Sequence, residues 1–360
     1  MPSASGRMLG SLLYPVKLAV QLGLIGVTVA SFLPVLLPQV PFFVSLESFT
    51  PQLVILGAIL TVAAVLFRPR VLALVGPLGL AWNLAILWPY LPVGPIPAFN
   101  AWFGGGSAQA TVAPGPKLKV VSANVWYRND DYRAAVNYLT MADPDVVSLL
   151  EVTPQWLKAL EPLYARYPYR IDCMDRMPPC ETMLLSKLPI LKSYAGMVDG
   201  RSPTIVWAEV EFQGRPIIVA ATHLTWPLLP ATDNRDATAA GMLQSPPMIG
   251  TAPLLQSQQA ENLAQYLATI GGEVHGDIVL MGDFNGVPWG RTQAAFRAAT
   301  SLDNRGPAVP TWPSWQPEWA RLPIDHVFVG GDLVRLTFRH GNYINSDHLP
   351  VAAEIGWKAQ

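Results

Sequence analysis

Carboxylates, carboxamides and imidazoles recur in this chain at the ends of short apolar runs. Asn124 follows the run 118–123, Glu151 follows 146–150, and His223 follows 217–222. Asp283 and Asn285 follow 278–281, Asp325 opens 325–329, and Ser346-Asp347-His348 precedes the last apolar run. Carboxylate and amide oxygens are hard donors of the kind that hold Mg²⁺ or Mn²⁺. An imidazole takes up or releases a proton near neutral pH. Taken singly, an Asp or Asn after a strand is a turn former, and a lone histidine is a structural residue. Six such places, holding three of the five histidines, are harder to dismiss together. A strand end is a rigid mount that can aim a side chain into a cleft.

The runs that carry these residues read as strands. Residues 118–123, 146–150, 182–185, 205–212, 217–222, 278–281 and 325–329 are rich in β-branched residues, and 132–141 and 256–270 have helical spacing. Strands and helices alternate without a GxGxxG or a Gly-rich loop ending in Lys-Ser/Thr, which argues against the nucleotide-binding α/β folds. A zinc hydrolase is the rival metal reading, but no HExxH or His-rich spacing is present.

Upstream, the chain changes character. Of 24 basic and 25 acidic residues, the first 92 positions hold only Arg7, Lys17, Arg68, Arg70 and Glu47. Positions 93–360 therefore keep 20 and 24, a net charge of −4. Residues 18–37, 51–67 and 71–91 are uncharged and near the ~20 apolar residues that cross a bilayer. A signal peptide cleaved after Thr28-Val29-Ala30 is the alternative, opposed by the two apolar stretches behind it. Basic residues stay cytoplasmic, so the N-terminus and the turn 68–70 lie inside, and residues 38–50 and everything after 91 lie outside. The expected organisation is a three-helix transmembrane anchor over 1–92, a Gly/Pro-rich linker over 93–116, and an extracytoplasmic domain over 117–360. The inner (cell) membrane is its expected place, with the bilayer as partner through residues 1–92. An acidic outer domain lacks the basic surface for tracking DNA, so no stable nucleic-acid partner is expected. In that oxidising compartment Cys173 and Cys180 are expected to pair as a disulfide.

Ser122-Ala123-Asn124-Val125-Trp126, Leu149-Leu150-Glu151, Thr222-His223-Leu224, Gly282-Asp283-Phe284-Asn285, Ile324-Asp325-His326-Val327 and Ser346-Asp347-His348 resemble, in order, the motifs of the endonuclease/exonuclease/phosphatase (DNase I-like) superfamily. The resemblance covers 117–360. It implies an α/β four-layer sandwich: two mixed β-sheets face to face with helices outside.

It also implies roles. A phosphodiester is shielded by its anionic oxygens, so attack needs a cation nearby and a base. Glu151 is the expected ligand for Mg²⁺ (or Mn²⁺), with Asn124 and Asp347 as further contacts. Val125-Trp126 stands where some family nucleases carry a second acidic residue, which leaves the full ligand set open. Asp283 is the expected base, with Asn285 positioning water or phosphate. His223 and His348 are expected to face the phosphate oxygens or the leaving group, and Asp325 to hold the second ring nitrogen of His348. The expected function is divalent-metal-dependent phosphoester hydrolysis outside the membrane, on a phospholipid or lipid-linked phosphate. An extracytoplasmic nuclease and a catalytically silent membrane-anchored binding protein are the alternatives. Two segments bear on the substrate. Residues 226–253 form a long apolar insertion after His223, read as a lipid-facing lid or an idle loop, and Trp312, Trp315 and Trp319 form an aromatic loop before Asp325.

Overall fold

The computed structural model describes residues 4–38, 40–67, 72–91, 112–174, 180–226 and 252–359. The leader folds as α1 (Ala4–Leu36), the short α2 (Pro41–Ser45), α3 (Thr50–Phe67) and α4 (Leu72–Leu87). Leu13–Leu36 and Phe42–Phe67 are long and apolar enough to cross a membrane. The third stretch is shorter than expected: α4 has 16 residues and passes into a 3-10 turn at Trp88–Tyr90, where Pro89 cannot continue an α-helix. The expected outer loop 38–50 is largely helical, because α2 and a 3-10 turn at Leu46–Phe49 lead directly into α3. The three long helices pack on one another. In their interior Asn83 Nδ2 donates to Ser31 Oγ at 2.7 Å, and the rings of Phe32 and Trp82 lie 5.2 Å apart. Outward, α3 exposes Ile55, Leu56, Ile59, Val62, Val65 and Leu66.

The second unit begins as β1 (Leu118–Asn124), α5 (Tyr132–Ala142), β2 (Val146–Leu150), α6 (Pro154–Ala159), β3 (Tyr169–Asp172) and β4 (Thr182–Ser186). It continues as β5 (Ile190–Val198), β6 (Arg201–Phe212), β7 (Arg215–His223), α7 (Ala252–Gly271), β8 (Ile278–Asp283) and α8 (Arg291–Thr300). It closes with β9 (Asp325–Val329), β10 (Leu333–His340) and β11 (Val351–Trp357). One sheet has six strands in the order β10-β11-β1-β2-β4-β3, the other five in the order β5-β6-β7-β8-β9. β1/β2 and β7/β8 are the parallel pairs and the remaining pairs are antiparallel, so both sheets are mixed.

An apolar core, including Val120, Leu184, Val219, Met281 and Val351, lies between the sheets. A second core seals α7 and α8 onto the five-stranded sheet through Leu263, Leu280, Phe296 and Phe328. A third seals α5 and α6 onto the six-stranded sheet through Leu139, Leu149 and Trp156. This is the four-layer sandwich. The cysteines Cys173 and Cys180 are disulfide-bonded, with Cα atoms 5.5 Å apart. Besides β11, which lies inside the six-stranded sheet, periodicity missed three strands, β3, β5 and β10, and all three lie at sheet edges. Each carries exposed polar residues instead of a continuous apolar run, for example Leu191-Lys192-Ser193 in β5. Most of the linker and of the 226–253 insertion, the expected lid, lies outside the described residues.

The two units meet at one end of the helix bundle. Arg291, first residue of α8, gives its backbone N–H to Glu47 Oε2 at 2.8 Å and its Nε–H to Glu47 Oε1 at 3.0 Å, and also contacts Pro34 O. Trp289 Nε1 donates to Glu47 O at 2.7 Å, and Tyr90 Oη donates to Pro288 O at 2.8 Å. Gln52 Nε2, in the first turn of α3, donates to Trp319 O at 3.1 Å. Glu47 thus supplies the carboxylate that the positive end of α8 favours.

Candidate active site

The two parallel strand pairs end side by side, and their ends carry the polar residues. β1 delivers Asn124, β2 delivers Glu151 just past its end, and β7 and β8 place His223 and Asp283 opposite each other in register. Gly282 makes that close pairing feasible. At φ +152 it sits where a Cβ would lie 1.9 Å from Thr222 O, so no other residue fits without moving the strands apart. Beyond the strand ends, Glu151 (φ 60), Asn285 (φ 47) and Trp126 (φ 60) hold left-handed backbones. Non-glycine residues in that region carry strain that tends to gather at functional sites.

A cavity of about 450 Å³ opens over these ends. It is lined by Trp126, Tyr127, Glu151, His223, Leu224, Thr225, Trp226, Asp283, Asn285, Trp312, Asp347 and His348. Asp283 is at its floor. Its Oδ1 accepts the Asn285 N–H at 2.8 Å, and its Oδ2 lies 3.5 Å from Nε2 of both His223 and His348. Burial pushes this carboxyl up, but the two imidazoles and the Asn285 N–H outweigh it and hold Asp283 below the ordinary carboxylate range. His348 donates from Nδ1 to Asp325 Oδ2 at 2.8 Å, which also accepts the Thr311 hydroxyl at 2.6 Å. Burial lowers the His348 pKa, yet the charges of Asp325 and Asp283 raise it to about 10, so Nε2 carries a proton at neutral pH. For His223, burial likewise works downward while the hydrogen bond and charge of Asp283 raise it to about 9. Its Nε2 also faces Asn285 Nδ2 at 3.2 Å, an amide that donates to Leu224 O at 2.9 Å.

On the opposite wall, Glu151 Oε1 accepts from Asn124 Nδ2 at 2.8 Å and Oε2 accepts the Tyr127 N–H at 3.0 Å. Asn124 Nδ2 reaches Asp283 Oδ2 at 3.3 Å, which joins the two walls. Asp347 lines the same cavity and accepts from Trp312 Nε1 at 3.3 Å. Burial first, and then the charges of Glu151 and Asp283 against the pull of His348, raise its carboxyl above the ordinary value. A hard cation between Glu151 and Asp347 would relieve that repulsion, so the donor set fits Mg²⁺ or Mn²⁺. Asp283, Asp325 and His348 also bring ligand-type atoms within 4.8 Å of one another, but there the His348–Asp325 hydrogen bond already uses one imidazole nitrogen.

All eight residues singled out from sequence therefore converge here. Sequence reasoning missed the residues that fasten them. Gln256 Nε2 on α7 donates to the carbonyls of Thr225, Phe284 and Asn285, and so clamps the loop behind Asp283. Thr311 steadies Asp325, and Ser346 Oγ donates to Asn124 O at 2.7 Å. The His326 imidazole meets Gly286 O at 2.7 Å from behind the same loop.

Residues 121–348 match the sequence model of the Endonuclease/Exonuclease/phosphatase family. No curated protein matches the sequence significantly. Among solved structures, the chain is similar to an endonuclease/exonuclease/phosphatase family protein from Bacteroides thetaiotaomicron, at 15% identity and TM-score 0.51, over 67% of this chain and 95% of that one. It is also similar to a functionally unknown conserved protein from Enterococcus faecalis V583, at 14% identity and TM-score 0.50, over 66% and 99%. A humanized D. rerio TDP2 aligns at 17% identity and TM-score 0.47, over 67% and 99%. At these identities the first two likenesses bear on the sandwich fold alone.

Proposed function

Because this chain belongs to the Endonuclease/Exonuclease/phosphatase family, whose members hydrolyse phosphoester bonds, we propose that residues 117–360 hydrolyse a phosphodiester or phosphomonoester with a divalent cation, outside the membrane that residues 1–92 span. One observation carries the reading: Asp283 Oδ2 sits 3.5 Å from Nε2 of both His223 and His348 on the floor of a cavity that also gathers Glu151 and Asp347.

Asp283, ionised at neutral pH, orients a water and accepts its proton. His348, with Nδ1 held by Asp325 and a proton on Nε2, donates to a non-bridging phosphoryl oxygen or the departing oxygen. His223 is the second cationic donor, its Nε2 turned to Asp283, and Asn285 fixes the adjacent loop through Leu224 O. Glu151, Asp347 and Asn124 would hold the cation. Once bound, it would polarise the phosphoryl group and offset charge that develops on its oxygens.

Membrane attachment is supported by the outward apolar face of α3 and by the docking of the second unit on one end of the helix bundle. The Cys173–Cys180 disulfide favours an oxidising side. A phosphoester at the bilayer, on a phospholipid or a lipid-linked phosphate, is the substrate class most accessible to a site tethered there. The test is hydrolysis of bis-p-nitrophenyl phosphate by the purified full chain, abolished by EDTA and restored by Mg²⁺ or Mn²⁺. No turnover with any divalent cation would leave a silent binding protein. A parallel panel of phospholipids and plasmid DNA ranks substrates, and preference for DNA would turn the reading to an extracytoplasmic nuclease.

A further inference from the structure

Among the described residues, Trp315 and Trp319 are the only exposed tryptophans, 63% and 68% accessible. Both sit on a loop closed at its base by paired hydrogen bonds between Trp312 and Leu322. Water-exposed indoles are costly in apolar area, and at a membrane surface they are favoured in the interfacial layer. Their height relative to the bundle is fixed by a contact: Trp319 O accepts from Gln52 in the first turn of α3, where the apolar stretch of that helix begins. Phe42 and Phe49, also exposed, sit in the short helix and 3-10 turn that lead into α3 at the same end of the bundle. The other side of the loop belongs to the catalytic cavity. Trp312 forms part of its wall, Ser314 N–H donates to Asp347 O at 2.8 Å, and Ser314 Oγ donates to Ser346 O at 2.6 Å.

We propose that the 312–322 loop is a lipid seat: Trp315 and Trp319 lie in the interfacial layer of the bilayer spanned by α1, α3 and α4, and so present the cavity to the phosphoester of a membrane lipid. The inference rests on the membrane-anchored reading above and names its substrate as one that stays in the bilayer. The loop couples position to chemistry, because the segment that meets lipid is tied by Ser314 to the backbone of Ser346 and Asp347.

The test uses the full chain reconstituted in phosphatidylcholine–phosphatidylglycerol vesicles whose acyl chains carry bromine at a shallow or a deep position. The fluorescence difference between wild type and Trp315→Phe/Trp319→Phe isolates the two indoles. It should be quenched more by shallow bromine than by deep. In parallel, Trp315→Ser/Trp319→Ser should lose about tenfold in kcat/KM on a bilayer-embedded phosphodiester, equivalent to about 1.4 kcal/mol of lost contact, and keep its rate on bis-p-nitrophenyl phosphate. A difference signal that no bromolipid quenches overturns the seat, as does an equal loss on both substrates, which would mark the loop as a mere brace for Asp347. Resistance of the vesicle-bound chain to carbonate extraction, and turnover of the soluble ester, report separately on the anchor and on the hydrolase. Failure of the seat is thereby distinguished from failure of either reading beneath it.

Discussion

His326 offers the most quantitative prediction. It is buried behind the Asp283–Gly286 loop, its Nε2 is 2.7 Å from Gly286 O, and its ring lies 5.7 Å from those of Phe284 and Phe328. Burial among these rings, against a smaller upward pull from the Gly286 contact, lowers its pKa from 6.5 to about 4. Above pH 6.5 the imidazole is neutral in both the folded and the unfolded chain and contributes no pH dependence. Between 6.5 and about 4 only the unfolded chain takes up the proton, so stability falls with pH through that window. Integrated from pH 7 to pH 5, the loss from this one group is about 2 kcal/mol. For a domain of this size that is a drop of roughly 4–8 °C in Tm. The assay is thermal unfolding of the purified full chain in detergent at pH 7, 6 and 5, wild type beside His326→Phe. The variant keeps an aromatic ring in the pocket and loses the Gly286 hydrogen bond at every pH, so only its slope is diagnostic. Wild type should fall more steeply than the variant by about those 4–8 °C. Parallel slopes would refute the claim that His326 is held neutral in the fold.

Gly282→Ala should destabilise the fold by about 3 kcal/mol or more, because its Cβ would collide with Thr222 O between β7 and β8; denaturant unfolding measures it, and a loss below about 1 kcal/mol would contradict the close-approach argument. Asp325→Asn should slow hydrolysis by about 10²-fold or more by releasing the Nδ1 partner of His348, and the upper limb of the pH–rate profile should move to lower pH because His348 loses the charge that raises it; an unchanged upper limb would show that Asp325 does not set the state of that ring. Unreduced protein should resist thiol alkylation at Cys173 and Cys180, and reduction should cost about 2 kcal/mol, given the short loop the bond closes. Full labelling of both cysteines without reductant would also remove one support for the outer-face topology.

Much of the site was legible because its residues are chemically conspicuous and mounted on apolar runs. Asn124, Glu151, His223, Asp283 and Asp325 each stand at the end of a strand that β-branched periodicity reveals, and the parallel register of β1/β2 and β7/β8 gathers those ends. The residues that steady them left no such mark. Thr311 and Ser314 sit in a Pro/Trp-rich loop with no periodicity, and Gln256 reads from sequence as one polar residue in the first turns of a helix. Their partners lie 14, 32 and up to 31 positions away, so only the folded chain shows the pairings. The edge strands β3, β5 and β10 escaped for a related reason, since a half-solvated edge needs no unbroken apolar run. The dock between Glu47 and Arg291 spans 244 positions and joins two segments that are each unremarkable in sequence.

The central claim is that this constellation is a phosphoester hydrolase with Asp283 as its base. The most direct measurement is the rate of bis-p-nitrophenyl phosphate hydrolysis by wild type and Asp283→Asn at pH 7 with saturating Mg²⁺, after their unfolding curves have been shown to coincide. Removing the base while keeping the shape should lower kcat by 10²–10⁴-fold, the usual contribution of general-base catalysis. A variant that keeps more than about a tenth of the wild-type rate would contradict the assignment.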